Sequence, residues 1–275
     1  MSSVATPGVP PLEFHGRLTQ TRVIRSEWTK LHSLRSTRWS LLAAVVLTLG
    51  LPALFAAVTS SHWGSMNAHE RADRHPLDIA LAGVNLSQLA IGVLGVLVIT
   101  GEYSTGMVRA SFTAVPKRLP VLWAKIVVFA VVSFALSLPA VIAAFFVSQT
   151  ILSKHNLLQI SFSHSGVARS VIGGALYLML FGVFCLAIGA IVRNTAGGIA
   201  AFVGIFFVIP PLLNIFPTSW QNAINPWIPN SAARSMFQLT HSTHSLSPAG
   251  GLAIFLLYIG TAVAVAAVLL VRRDT

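Results

Sequence analysis

Gly101-Glu102-Tyr103-Ser104-Thr105-Gly106-Met107-Val108-Arg109-Ala110-Ser111-Phe112-Thr113-Ala114-Val115-Pro116-Lys117-Arg118 separates two long apolar runs. If those runs cross a membrane, this polar segment is the turn between the crossings, and the rest of the topology follows from its side. Glycine tolerates the left-handed turn after a helix, so Gly101 is expected to end the preceding span. Glu102 or Ser104 then caps a new short helix. Tyr103 and Met107, with Ala110, fall on one side of it at helical spacing. Arg109 lies toward its C-terminal end, where the helix dipole favours a cation. Pro116 stops the helix, and Pro120 suits the first turn of the next span. Such a short helix with an aromatic face suits docking of a soluble partner. A plain polar loop that satisfies helix ends is the other reading of the same residues.

Working outward, the composition places the whole chain in a membrane. Of its 275 residues, 55% are hydrophobic and 9% are charged, and the mean hydropathy is +0.77. Soluble domains carry roughly 25% charged residues. The net charge of +11 lies in short blocks beside apolar runs, which fits membrane topology better than nucleic-acid binding. The single cysteine, Cys185, lies inside an apolar run and reads as a small core residue.

Six runs reach the roughly 20 residues that a bilayer crossing needs. They are about 39–59, 79–100, 119–152, 167–192, 195–216 and 250–271. The third exceeds what a membrane requires and is expected to tilt or protrude. Pro52, Pro139, Pro210 and Pro211 lie inside spans. They imply kinks or broken turns whose freed carbonyls other parts of the protein must satisfy.

The flanks follow. Residues 1–16 include Pro7, Pro10 and Pro11 and are expected to form a disordered tail. No cleavable signal sequence is evident, so this end is expected to stay on the protein. Residues 17–38 place Ile24, Trp28 and Leu31 at helical spacing among Arg22, Arg25, Lys30, Arg35 and Arg38. That is the pattern of a basic amphipathic helix lying in the membrane interface, with a Glu27–Lys30 pair along it. Thirteen of the eighteen lysines and arginines fall on one side when the N-terminus is placed inside. The positive-inside rule therefore puts both termini in the cytoplasm of a multi-pass cell-membrane protein. Lys125, one turn into the third run, is expected to snorkel toward the inner side. The last outer connection contains Asn225-Pro226-Trp227-Ile228-Pro229-Asn230 and then Ala232, Ala233, Met236 and Phe237. It suits a short helix on, or re-entering, the outer leaflet.

A search for chemistry excludes several classes. No phosphate-binding Gly-rich loop ending in Gly-Lys occurs, nor His-Glu-x-x-His, nor Gly-x-Ser-x-Gly. No cofactor is implied, and the chain is not read as an enzyme. His62, His69, Glu70, Asp73, His75 and Asp78 cluster in the first outer loop. Their spacing matches no metal motif, so they read as solvated loop residues rather than a metal site. A charge near a span centre costs roughly 2.5–3.5 kcal/mol on insertion scales and marks a function. None occurs there, which argues against an ion-driven carrier. Asn85, Gln88, Ser133, Ser137, Tyr177, Asn214 and Tyr258 are neutral polar groups within or beside spans. They either hydrogen-bond between helices or line a substrate path.

The helix with Ser26-Glu27-Trp28-Thr29-Lys30-Leu31, the six spans, Gly101 to Met107, Val115-Pro116-Lys117-Arg118 and Lys125 together resemble permease subunits of type-2 ATP-binding-cassette exporters, most closely those of actinobacteria. The resemblance covers about residues 17–273. It implies an all-α integral membrane protein whose segment between spans 2 and 3 is a coupling helix docked on a separate ATPase subunit. Glu102, Tyr103, Thr105, Gly106, Met107 and Arg109 would then transmit the stroke. The N-terminal helix would be the connecting helix at the membrane surface, and the last outer loop a re-entrant element. Two permease copies, identical or not, would work with two ATPases among membrane lipid, without nucleic acid. The rival expectation is a membrane scaffold or immunity protein that binds a ligand without moving it.

Overall fold

The computed structural model describes residues 19–33, 35–72, 74–104, 119–154, 159–239 and 245–272. The segment 105–118, with Thr105, Gly106, Met107 and Arg109, lies outside the described residues, as do the tail and Asp73. The described part is helical throughout. Helix α1 is Gln20–Ser33, α2 is Arg35–His62, α3 is Ala68–Ala72 and α4 is Pro76–Ser104. Helix α5 is Leu119–Lys154 and α6 is Val167–Val192. Helix α7, Thr195–Val203, runs through a π turn at Gly204–Val208 into α8, Ile209–Leu213. Two short helices follow, α9 at Thr218–Ile224 and α10 at Pro229–Arg234, and α11 is Pro248–Arg272.

Among the described residues, six stretches are long and apolar enough to cross a membrane: α2, α4, α5, α6, α7 through α8, and α11. They coincide with the six runs in the sequence and extend several of them by a few residues. Helix α6 is the central post. Its most apolar window is 72% buried, against 17% for α7 through α8 and 22% for α2. It packs against α4, α5 and α11, while α2 packs on α4 and α5. Close crossing of α4 and α6 depends on Gly95, where a Cβ would collide with the Gly182 carbonyl. The fully buried Cys185 sits on α6 at this level. Between α2 and α4, the Thr48 and Ser87 hydroxyls meet at 2.7 Å and Ser87 donates to the Ala44 carbonyl. Leu42, Val46, Leu54 and Phe55 on α2 face outward, as lipid-facing positions should.

Three local expectations change. Gly101 does not end the second span; α4 runs on through Glu102 and Tyr103, because both side chains are anchored there. The buried stripe of α1 is Val23, Glu27 and Leu31, and Trp28 remains 45% exposed. The inward face thus carries a carboxylate, and α1 packs on α5 rather than standing apart. The fifth span stops at Leu213 rather than Phe216, with Asn214 as its C-terminal cap.

The π turn has a direct cause. Pro210 and Pro211 carry no N–H and cannot donate to the Phe206 and Phe207 carbonyls. The Ile209 amide reaches back to Gly204 instead. The Asn230 carboxamide donates to the Phe206 carbonyl at 3.2 Å, restoring one bond that proline removed. Asn230 reaches it because the segment carrying α10 is folded into the bundle. Ala232, Ala233, Met236 and Phe237 are buried. Gly173 and Gly251 leave room for the backbone of this segment at Met236 and Ala232.

Candidate functional site

Two polar clusters stand out, one at each end of the bundle. The first joins α1, the last turn of α4 and the start of α5. Lys125 lies in the second turn of α5, whose first turn holds Pro120, as the sequence suggests. Its ammonium donates to Glu27 at 2.6 Å and to Glu102 at 2.7 Å. Lys30 donates to Glu27 at 2.7 Å and to Glu102 at 3.0 Å. Among these four residues, positive and negative groups alternate around a ring. Lys125 and Glu27 are 5% and 4% exposed, so their attraction acts in a poorly solvated place. Burial pulls the Lys30 ammonium down, but the Glu27 and Glu102 carboxylates outweigh it and hold its pKa above the ordinary lysine value.

Lys125 therefore does not snorkel to water. It extends toward the α1 end and stops on two carboxylates. The Gln20 carboxamide donates to the Pro120 carbonyl at 3.0 Å, a further tie between α1 and α5. Tyr103 is gripped separately. The Arg193 guanidinium lies 5.2 Å from its ring centroid and donates to the Leu269 carbonyl at 3.2 Å. Arg193 is positioned by the tight reversal from α6 to α7. It caps α6 in the left-handed conformation with φ 57°, while Asn194 caps α7 by accepting from the Gly197 amide. A crevice of about 20 Å³ opens between Ile99, Tyr103, Leu122, Lys125 and Leu270, which is room for a water molecule.

At the far end, Asn85, Gln88 and Tyr177 come together with Arg234. The buried Tyr177 hydroxyl donates to the Gln88 carbonyl oxygen, and the Gln88 amide donates to the Asn85 backbone carbonyl at 2.7 Å. Arg234, at the end of α10, donates to the Asn85 side-chain oxygen at 2.7 Å. The remaining polar groups of the sequence reading do not join them. Ser133 is fully buried without a hydrogen-bond partner. Ser137 lines a separate small crevice with Leu41, Thr48 and Ile91. Asn214 is exposed, and the half-exposed Tyr258 donates to the Trp227 carbonyl at 3.1 Å. The seven residues are thus spread over several places in the bundle. In the first loop, Glu70 is engaged in a reciprocal cap with Asn67 at the start of α3.

Sequence reasoning found Glu102 and Tyr103 but not their partners across the fold. The available signal was Lys125, an ammonium inside an apolar run, which demands a counter-ion. Nothing local marks Arg234 beyond its charge in the last outer connection.

Six helices of this length and apolarity give the chain the character of a multi-pass membrane protein. Compared with known proteins, it matches no family model and no curated sequence.

Proposed function

We propose that the chain is the membrane-spanning permease subunit of a type-2 ATP-binding-cassette exporter, driven by a separate ATPase subunit and working with a second permease copy. The observation that carries this reading is the ion ring at the root of the segment 105–118. One root of that segment, the last turn of α4, holds Glu102, and the other, the start of α5, holds Lys125. Both are locked to α1 through Glu27 and Lys30. A force applied to the segment would thus reach α1, α4 and α5 together, and Arg193 would pass it to α11. Such a rigid base suits a lever operated by a partner. In this reading the α1 end is cytoplasmic, in line with the excess of lysine and arginine there. Met107 and Arg109 are then the contact residues, and Glu102 acts behind them as part of the base.

The test is purification in mild detergent with identification of the companion chain. An ATP-hydrolysing subunit is expected, with its coupled ATPase activity lost in a Met107→Ala/Arg109→Ala variant that still purifies as a folded protein. Full partner binding and full coupled activity in that variant would overturn the assignment. A chain that binds its ligand with no ATPase companion would point to the non-transporting scaffold instead.

A further inference from the structure

The Arg234 corner keeps free N–H donors once its internal bonds are counted. The Asn85 side-chain oxygen is taken by Arg234, the Asn85 backbone carbonyl by Gln88, and the Gln88 oxygen by Tyr177. What remains is the rest of the guanidinium and the Asn85 amide N–H groups, with no acceptor for them among the described residues. No carboxylate pairs with Arg234 among the described residues either; the four ion pairs between described residues lie in the ring at the other end. Arg234 and Asn85 are both half-buried. A guanidinium partly withdrawn from water and lacking a carboxylate partner retains N–H groups that an anion can accept from.

We propose that Arg234 and Asn85 form a recognition point for a phosphate-type oxyanion, carried on a lipid headgroup or free in solution. A guanidinium presents two parallel N–H groups that match two oxygens of a phosphate. The Asn85 amide adds donors beside it, and the Arg234–Asn85 bond fixes the guanidinium in place. Arg169 donates to the Gln238 carbonyl at 3.1 Å, one turn beyond Arg234, so the segment carrying the site is tied down by a second cation. Among the described residues, neither the exposed Asp78 nor Glu70, which is engaged in its cap, pairs with Arg234. The site does not depend on the chain being an exporter, and its test reads binding rather than transport.

The experiment uses the full chain in neutral detergent. Retention of phosphatidylglycerol is measured by native mass spectrometry, against phosphatidylcholine as the zwitterionic reference, with thermal unfolding in inorganic phosphate as the soluble arm. Retention of phosphatidylglycerol alone assigns a lipid headgroup; a melting shift with phosphate alone assigns a free anion. In either case Arg234→Gln is expected to weaken binding about tenfold or more. Should Arg234→Gln fold poorly, Asn85→Asp supplies the missing counter-charge from within. It is expected to raise the melting temperature and to abolish anion binding. Wild-type binding in Asn85→Asp or in folded Arg234→Gln would overturn the proposal, as would a wild-type chain that binds neither anion.

Discussion

At the α1 end, two lysines and two glutamates close on one another at 2.6 to 3.0 Å; at the far end, Arg234 has a neutral carboxamide as its partner. Both cations stand beside apolar helices, and both are partly or wholly removed from water. The first is balanced by partners within the chain, which suits a mechanical role. It fixes which turn of α1 lies against which turn of α5, since a shift along either helix would leave a buried charge alone. The second has no counter-charge among the described residues, which suits the anion site proposed above. On this reading the paired end is a joint and the end without a counter-charge among the described residues is a socket.

The sharpest way to break this contrast is to open the ring. Lys125→Met leaves Glu27 buried with less compensation and is expected to cost about 3–5 kcal/mol, read from equilibrium unfolding in mixed micelles. Pairing it with Glu27→Leu removes both buried charges and should recover most of the loss, because well-packed apolar groups replace buried ion pairs at little cost. A double variant as unstable as Lys125→Met would show that the ring stabilises by more than mutual neutralisation. The converse change closes the open end. Asn85→Asp should stabilise the bundle by about 1.5–3 kcal/mol, the worth of a hydrogen bond to a charged group. An unchanged or lowered stability would mean that Arg234 already has its charge satisfied.

A smaller effect tests the far end without touching charge. Asn230→Ala uncovers the Phe206 carbonyl and is expected to cost about 1–3 kcal/mol. In a Pro210→Ala background the restored amide can bond to Phe206, and the cost of Asn230→Ala should shrink. Equal costs in both backgrounds would separate Asn230 from the proline break. The smallest effect is in pH. The Lys30 pKa is raised in the folded protein, so its contribution is fully present below the ordinary lysine pKa of 10.5 and is lost as pH rises through the higher folded value. Cysteine labelling at position 23 of α1 should stay low from pH 7 to 9 and rise only above about 10.5. Early exposure near pH 8 would indicate that Lys30 does not hold α1 down.

Much of the helical framework was legible because its causes are local. The span at 167–192 appears with those same bounds as α6, since apolar length and the polar breaks at Gly166 and Arg193 both lie in the sequence. The helix at 17–38 was legible as basic and periodic, but its inward face was not. Apolar periodicity selects Ile24, Trp28 and Leu31, whereas the structure turns Val23, Glu27 and Leu31 inward. The deciding partner of Glu27 is Lys125, 98 residues away, and no local rule brings them together. Gly101 shows the same limit: its own chemistry permits a helix end, yet contacts from α1, α5 and Arg193 hold the next turn helical. The proline pair announced a broken span, but the residue that repairs it, Asn230, follows 24 positions after Phe206 and was visible only as part of an outer loop.

The burial of Cys185 on the central helix has a practical consequence. The chain's only thiol has no exposed surface, so it should stay silent toward water-borne maleimides while α6 keeps its neighbours. New cysteines can be placed on the surface without first removing the native one. Its delayed modification then becomes an internal clock, starting only when the helices around α6 part.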